Sequence, residues 1–327
     1  MGTTWLAVDL VWGHAPVTRA LNRSNLVSLT SFMKLADVRE RLKELRPEVS
    51  RKLPAPLLAP PRSDRYALVG VAFDYLLRFE IERRANRCTS RGWVAEHAPR
   101  VLEDAAKGTV MLKVLEPGGG PASNAPPPGG FQRAARQVQR RLDETRDIFL
   151  EYIRSRAPSG RDQERAAECA ISLAKLDLVF RARCYDPDYE NAEPEDVADI
   201  LAMLALTPFG LLAPSAEIYL NPVFDNASHA VGGADADLIS GDLLIDVKTS
   251  KQDRIQAEDL DQLFGYLLLA RRARRESRRF PLVRRLGLYY ARFAYPVLLD
   301  ATCWTDHPLF GATEHWFFER AQAEPEV

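Results

Sequence analysis

Through the first two thirds of the chain, apolar residues recur at the three- and four-residue spacing of helices that face a core. "SLTSFMKLADVRERLKELR" has this pattern after a Ser/Thr start, "ALVGVAFDYLLRFEIERRAN" repeats it, and "AEHAPRVLEDAAKGTVMLKVLE" is expected to form a third helix. Between the first two, "PAPLLAPPR" reads as an extended proline-rich break. Farther on, "FQRAARQVQRRLDETRDIFLEYIRSR" and "DQERAAECAISLAKLDLVFRAR" keep an apolar stripe over many turns, and "EPEDVADILAMLALTP" adds a shorter helix with an acidic first turn.

From "SAEIYLNPVF" onward the period shortens to two. The pattern predicts a strand over 216–220, a hairpin through 235–249, a helix over 256–275 and a strand over 284–293. In the last of these, "LVRRLGLYYARFAYPVLLD" has the composition of a long strand or a strand pair. This order predicts a mixed α/β layer. Residues 116–130, "EPGGGPASNAPPPGG", can bury little and read as a flexible linker or exposed loop. The expected division is a mainly helical region 1–115, the linker 116–130, a helical region 131–206 packed on the core, and a core at 207–327.

The hairpin carries unexpected charge: "GGADADLISGDLLIDVKTS" sets Asp235, Asp237, Asp246 and Lys248 among strand residues. Alternation puts Asp235 and Asp237 on one face of the first strand, and Asp246 and Lys248 on one face of the second. If Gly241 and Asp242 form the turn, Asp237 faces Asp246; if Ser240 and Gly241 do, Asp235 faces it. Either register brings two carboxylates together, which costs several kcal/mol unless a cation joins them. Mg²⁺ or Mn²⁺ suits these ligands, with the Val247 carbonyl as a further oxygen donor. Lys248 would point at the same place, to orient or deprotonate a water and to stabilise charge on phosphorus. On the following helix, Gln262 and Tyr266 lie four residues apart and share a face. The plainer alternative is a solvated polar hairpin face with Lys248 in a surface ion pair.

The sequence Asp237, then Asp246-Val247-Lys248, then Gln262-Leu-Phe-Gly-Tyr266 resembles the PD-(D/E)XK nuclease superfamily, in particular its RecB-like exonuclease branch. The likeness covers about residues 214–295. It implies a restriction-endonuclease-like α/β core, a four-stranded mixed sheet flanked by helices, and metal-dependent hydrolysis of DNA phosphodiesters. It also implies Asp237 and Asp246 as metal ligands, with Asp235 the alternative first ligand, and Lys248, Gln262 and Tyr266 as further catalytic residues. Many members add an acid or histidine from an upstream helix, for which Asp74, Glu80, Asp177, Glu195, Asp199 and His229 stay open. The roles implied are DNA repair, recombination or defence against foreign DNA, including antiviral defence. A motor, sensor or other defence-system protein is a possible partner. The alternative is a catalytically weak DNA-binding or assembly subunit on the same fold.

Downstream, "RRARRESRRF" concentrates Arg271, Arg272, Arg274 and Arg275, candidates for tracking a nucleic-acid backbone or, equally, a solvated helix end. Composition narrows the rest. With 46% hydrophobic and 27% charged residues and a net charge of −1, the chain of 327 residues is not a uniformly basic nucleic-acid coat. Its 4 cysteines form no CxxC pair, which argues against a disulfide framework and a zinc or iron-sulfur site. No apolar run approaches a membrane span, no secretory leader is evident, and no GxxxxGK[ST] loop is present, so a cytoplasmic protein without its own NTPase engine is expected. Oligomerisation stays open.

Overall fold

In the computed structural model, which describes residues 28–85, 88–90, 92–116, 120–127, 129–213 and 217–323, the first helical pattern is realised in two short pieces, α1 (Leu29–Phe32) and α2 (Ala36–Lys43). After the proline-rich break comes α3 (Tyr66–Arg84), then β1 (Cys88–Ser90) and α4 (Ala98–Ala106). The expected third helix ends there because Gly108 takes a φ of 74°, and the chain beyond it forms β2 (Lys113–Glu116). Its antiparallel partner β3 (Gly120–Ser123) lies inside the Pro/Gly-rich segment, which is therefore not all loop.

α5 (Gly130–Arg154) and α6 (Gly160–Arg181) are long helices, and α6 starts at a capping box in which Ser159 and Asp162 exchange hydrogen bonds. β4 (Cys184–Tyr185) pairs parallel to β2, and α7 (Pro194–Ala205) opens with proline and acidic residues suited to a helix start. Beyond α8 (Phe209–Leu212) come β5 (Ile218–Leu220), α9 (Asn226–Ala230), β6 (Leu238–Ser240) and β7 (Leu243–Lys248). Then follow α10 (Ala257–Glu276), β8 (Arg285–Tyr290) and β9 (Tyr295–Asp300). α11 (Thr302–Thr305) and α12 (Phe310–Gln322) end the described chain. The aromatic stretch is thus a strand pair, reversed by a 3-10 turn at Ala291–Phe293 and by Ala294 at φ 48°.

The protein is α/β. Among the described residues its main sheet has six strands in the order β1-β5-β6-β7-β8-β9, wider than the four expected, and a second sheet has the order β3-β2-β4. In the main sheet β1 runs parallel to β5 and β7 parallel to β8, while the remaining pairs are antiparallel. Alternation along the strands builds two cores. Leu238, Leu243, Ile245 and Tyr289 face a bundle of α3, α5, α6 and α7; Ile239, Leu244, Leu286 and Leu288 face α10, α1, α2 and α12. The described residues of the N-terminal region join this layer through β1, which extends the sheet beside β5. α3 also comes so close to the end of β7 that a Cβ on Gly70 would lie 2.9 Å from Thr249 Oγ1. Among the described residues, no helix is long and apolar enough to cross a membrane.

Candidate active site

The β6–β7 turn fixes the site. Ser240 pairs with Leu243, Ile239 with Leu244 and Leu238 with Ile245, leaving Gly241 and Asp242 as the two turn residues, with Gly241 at φ 61°. Extending that register by one residue sets Asp237 opposite Asp246, the first of the two pairings read from the sequence. Asp246 is buried at 4% exposure, and Asp237 Oδ2 accepts a 2.6 Å hydrogen bond from the Val247 N–H. The backbone group of Val247 that meets Asp237 is thus its amide.

α10 supplies the opposite wall. Lys248 Nζ lies 2.7 Å from Asp246 Oδ2 and 3.4 Å from Asp259 Oδ1, and donates to Gln262 Oε1 at 2.9 Å. Gln262 Nε2 donates to the Tyr266 hydroxyl at 2.8 Å, which donates to the Asp235 carbonyl at 2.9 Å. Asp259 is held by the Tyr290 hydroxyl and by the Gln256 N–H at the start of the helix. This relay fixes the ammonium from both sides of the hairpin. Asp246 Oδ2, despite the close ion pair, is a buried acceptor without a hydrogen bond of proper angle.

Burial, then repulsion from Asp246 and Asp74, pushes the Asp237 carboxyl well above its ordinary range, only partly offset by the Val247 N–H and Lys248. Asp246 is also raised, by burial first, with Lys248 opposing and Asp259 adding. Burial alone would lower Lys248, but attraction to Asp246 and Asp259 outweighs it and holds the ammonium protonated beyond the usual lysine range. The Tyr266 phenol is pushed up by burial and by Asp246, Asp237 and Asp235, so it stays neutral.

Of the open upstream positions, Asp74 on α3 comes within electrostatic reach of the hairpin carboxylates. Tyr66, Gly70, Asp74 and Arg78 recur every four residues, one face of the helix. Asp74 interacts electrostatically with Asp235 and Asp237, and Arg78 Nη2 donates to its Oδ2 at 2.6 Å. Burial raises Asp74, with Arg78 opposing. Behind it, Asp177 accepts from the Tyr75 hydroxyl at 2.6 Å, and Arg181 bridges Asp177 at 3.5 Å and Asp235 at 3.1 Å. The Asp235 carboxylate is thus turned to Arg181. The other upstream positions lead elsewhere: Glu80 pairs with Arg83 and Arg84, Asp199 with Arg292, and Glu195 and His229 are exposed. The signal for Asp74 was a charged pair, Asp74 and Arg78, four residues apart in an otherwise apolar helix.

The arginine run is engaged within the fold. Arg271 and Arg275 pair with Glu314 on α12, Arg272 pairs with Glu276, and Arg274 donates to the carbonyls of Arg278 and Phe280. Arg271 and Arg272 also lie over the rings of Phe310 and Phe318. The run dock α12 and cap α10, and Arg271 begins about 13 Å along the helix from Gln262.

Among the described residues, no group of three or more His, Cys, Asp or Glu is placed to hold a metal ion. The donors present nevertheless suit a hard divalent cation: Mg²⁺ takes one or two carboxylates with waters and phosphate oxygens, and Asp237 and Asp246, opposite each other on the hairpin, are such a pair. Comparison with protein families, curated proteins and solved structures finds no match for this chain.

Proposed function

We propose that this chain is a metal-dependent nuclease of the PD-(D/E)XK type that hydrolyses DNA phosphodiester bonds, in repair, recombination or defence against foreign DNA. The observation that carries the reading is the pairing of half-buried Asp237 with buried Asp246, set against the Lys248–Gln262–Tyr266 relay. In support, strands β5 to β8 form a mixed sheet in which the acidic hairpin continues through α10 into a strand parallel to β7. A mixed sheet flanked by helices is what the resemblance implies.

Asp237 and Asp246 would hold Mg²⁺ or Mn²⁺, which when bound neutralises their repulsion, polarises phosphate and lowers the pKa of a bound water. The chain's own groups do the rest. Lys248, kept charged by Asp246 and Asp259, acts as a cation that steadies a phosphate oxygen rather than as the base. Gln262 orients that ammonium by accepting from it, and Tyr266, anchored on the Asp235 carbonyl, fixes the direction of the Gln262 amide. The Val247 N–H holds Asp237 in place.

The test is cleavage of end-labelled single strands, linear duplex, closed circular DNA and RNA with Mg²⁺, Mn²⁺ or EDTA, beside Asp246→Asn and Lys248→Met. Metal-dependent DNA cutting lost in both variants is expected. Cutting that survives in EDTA or in Asp246→Asn would overturn the assignment.

A further inference from the structure

The charges at the start of α5 run against what a helix favours. α6, α7 and α10 each carry acid in the first turn, Asp162, Glu195 with Asp196, and Glu258 with Asp259, which suits the positive end of the helix dipole. α5 has none there; its first acid is Asp143, after Arg133, Arg136, Arg140 and Arg141. Arg141 turns inward, donating to Ser172 Oγ at 3.3 Å, and lies 3.7 Å from Glu144. Arg133, Arg136 and Arg140 are exposed and have no ion pair among the described residues. At spacings of three and four they share one face, so they repel one another as well as the helix end. Gly129, at φ 80°, leaves the Arg133 stem its room, since a Cβ there would lie 2.6 Å from Arg133 Cδ.

This row starts beside the hairpin carboxylates. Arg141 reaches Ser172 and Glu151 lies 3.6 Å from Arg165, so α5 and α6 run antiparallel and Arg133 is level with Phe180 and Arg181 at the end of α6. Arg181 is the residue that bridges to Asp235 at 3.1 Å. From there the charge crosses to α5, about 8–10 Å between packed helix axes, and continues for about 10 Å from Arg133 to Arg140. Arg100, exposed and without an ion pair among the described residues, adds a cation near His97 at the start of α4. The basic face therefore leads away from Asp235 for about 20 Å, too long for one free phosphate and enough for about six base-pair steps of about 3.4 Å. Its exposed ring is already covered: Phe180, 40% exposed, is met by His97 at 4.7 Å and by the Arg183 guanidinium at 5.7 Å. Fixed cations without a free stacking platform match the phosphates of a duplex, whose bases stay stacked inside.

We infer that this face of the helical bundle, Arg133, Arg136 and Arg140 with Arg100, holds the phosphate backbone of duplex DNA flanking the cut. It lies outside residues 214–295, over which the chain resembles a nuclease, and the inference rests on the nuclease reading only for where the cut falls. Binding is read separately from cutting. A fluorescent blunt duplex is titrated in EDTA, over a range of salt, against the full chain, Arg133→Ala/Arg136→Ala/Arg140→Ala and Arg133→Lys/Arg136→Lys/Arg140→Lys. The titration is repeated with a single strand of the same length, and bound duplex is challenged with unlabelled duplex or with polyglutamate.

The alanine variant should bind duplex about tenfold or more weakly, with a log–log salt slope shallower by about 2.7, as the loss of three phosphate contacts requires. The lysine variant should restore the slope, since the backbone is met as charge. The alanine variant should melt no lower than wild type, because it removes cations from the positive end of α5, so lost binding is not lost fold. Duplex affinity and slope unchanged by alanine, no recovery with lysine, or a single strand bound as tightly as duplex would overturn the inference. Displacement by polyglutamate as readily as by duplex would also overturn it, and would mark the face for an acidic protein. Arginine-dependent duplex binding without metal-dependent cutting would sink the nuclease reading and leave this face standing; metal-dependent cutting with binding indifferent to the alanines would do the reverse.

Discussion

Asp237→Asn should make the protein more stable while abolishing its proposed activity. Asp237 and Asp246 sit opposite each other across the hairpin, with Cβ atoms about 5 Å apart in such a pair. Two charges at that distance repel by about 3 kcal/mol at an effective dielectric constant near 20. Lys248 returns part of this, since it attracts Asp237 as well as Asp246. An asparagine keeps an oxygen to accept the Val247 N–H and turns a donor toward Asp246, so the net gain should be about 1–2 kcal/mol, a few degrees in Tm.

The pH dependence identifies the cause. Because the Asp237 carboxyl is raised in the folded protein, the native state holds that proton more tightly than the unfolded chain does. Its stability contribution is present below the unfolded value of about 3.9 and is lost as pH rises through the folded one. Thermal unfolding in EDTA should show variant and wild type melting together near pH 4 and the variant melting higher at pH 8. Saturating Mg²⁺ should reverse the order, since ion at about 100 times its Kd adds about 2.7 kcal/mol to wild type alone. A variant that melts below wild type in EDTA at pH 8, or a gap indifferent to pH, would refute the argument.

Three other outcomes follow from the geometry. Arg292, 1% exposed, donates to Asp199 twice and to the carbonyls of Thr249 and Ala59, so Asp199→Ala should cost about 3–5 kcal/mol in urea unfolding; a loss under about 1 kcal/mol would contradict the role of this pair as the tie between α7, the end of β7 and the proline-rich segment. Asp177 is pushed up to about 6 by burial, so wild type should lose up to about 3 kcal/mol relative to Asp177→Asn between pH 4 and pH 6, and parallel stability curves would show that this carboxyl does not titrate there. Gln262→Leu should lower single-turnover cleavage about 10- to 100-fold by freeing Lys248, whereas Arg274→Ala, which only uncaps α10, should change it less than about twofold; equal effects would mean that the relay does not position the ammonium.

The part of the site legible in the sequence is the part that is local. Asp237, Asp246, Lys248, Gln262 and Tyr266 fall within one hairpin and the helix after it, where the periods of two and 3.6 determine which side chains share a face. The choice between the two registers needed the turn, and the pairing of Ser240 with Leu243 settles it. Asp74 was one of six open positions because nothing local says which helix will cross the end of β7; that depends on Gly70 allowing the close approach to Thr249. The arginine run shows the same limit from the other side. A charge run displays its charges but not their partners, and Glu314, which takes two of these arginines, lies on a helix the pattern did not announce. The third expected helix was cut short at Gly108, a residue that an apolar-spacing argument passes over.

The charges around the hairpin also indicate where a cation would settle. Asp74 has Arg78, Asp177 and Asp235 share Arg181, and Asp246 and Asp259 share Lys248. Asp237 alone of these carboxylates has no ion pair among the described residues; its close partner is a backbone N–H. Arg181 and Lys248 each divide their charge between two carboxylates, so the uncompensated charge collects at Asp237, across the hairpin from Asp246. A fold selected only for stability would fill that place with an apolar or amide side chain, since a half-buried carboxylate without an ion pair costs more than either. Retaining the charge there is what a site for a divalent ion requires, and it is why Asp237, rather than the better-paired Asp246, is the position at which stability and activity should move in opposite directions.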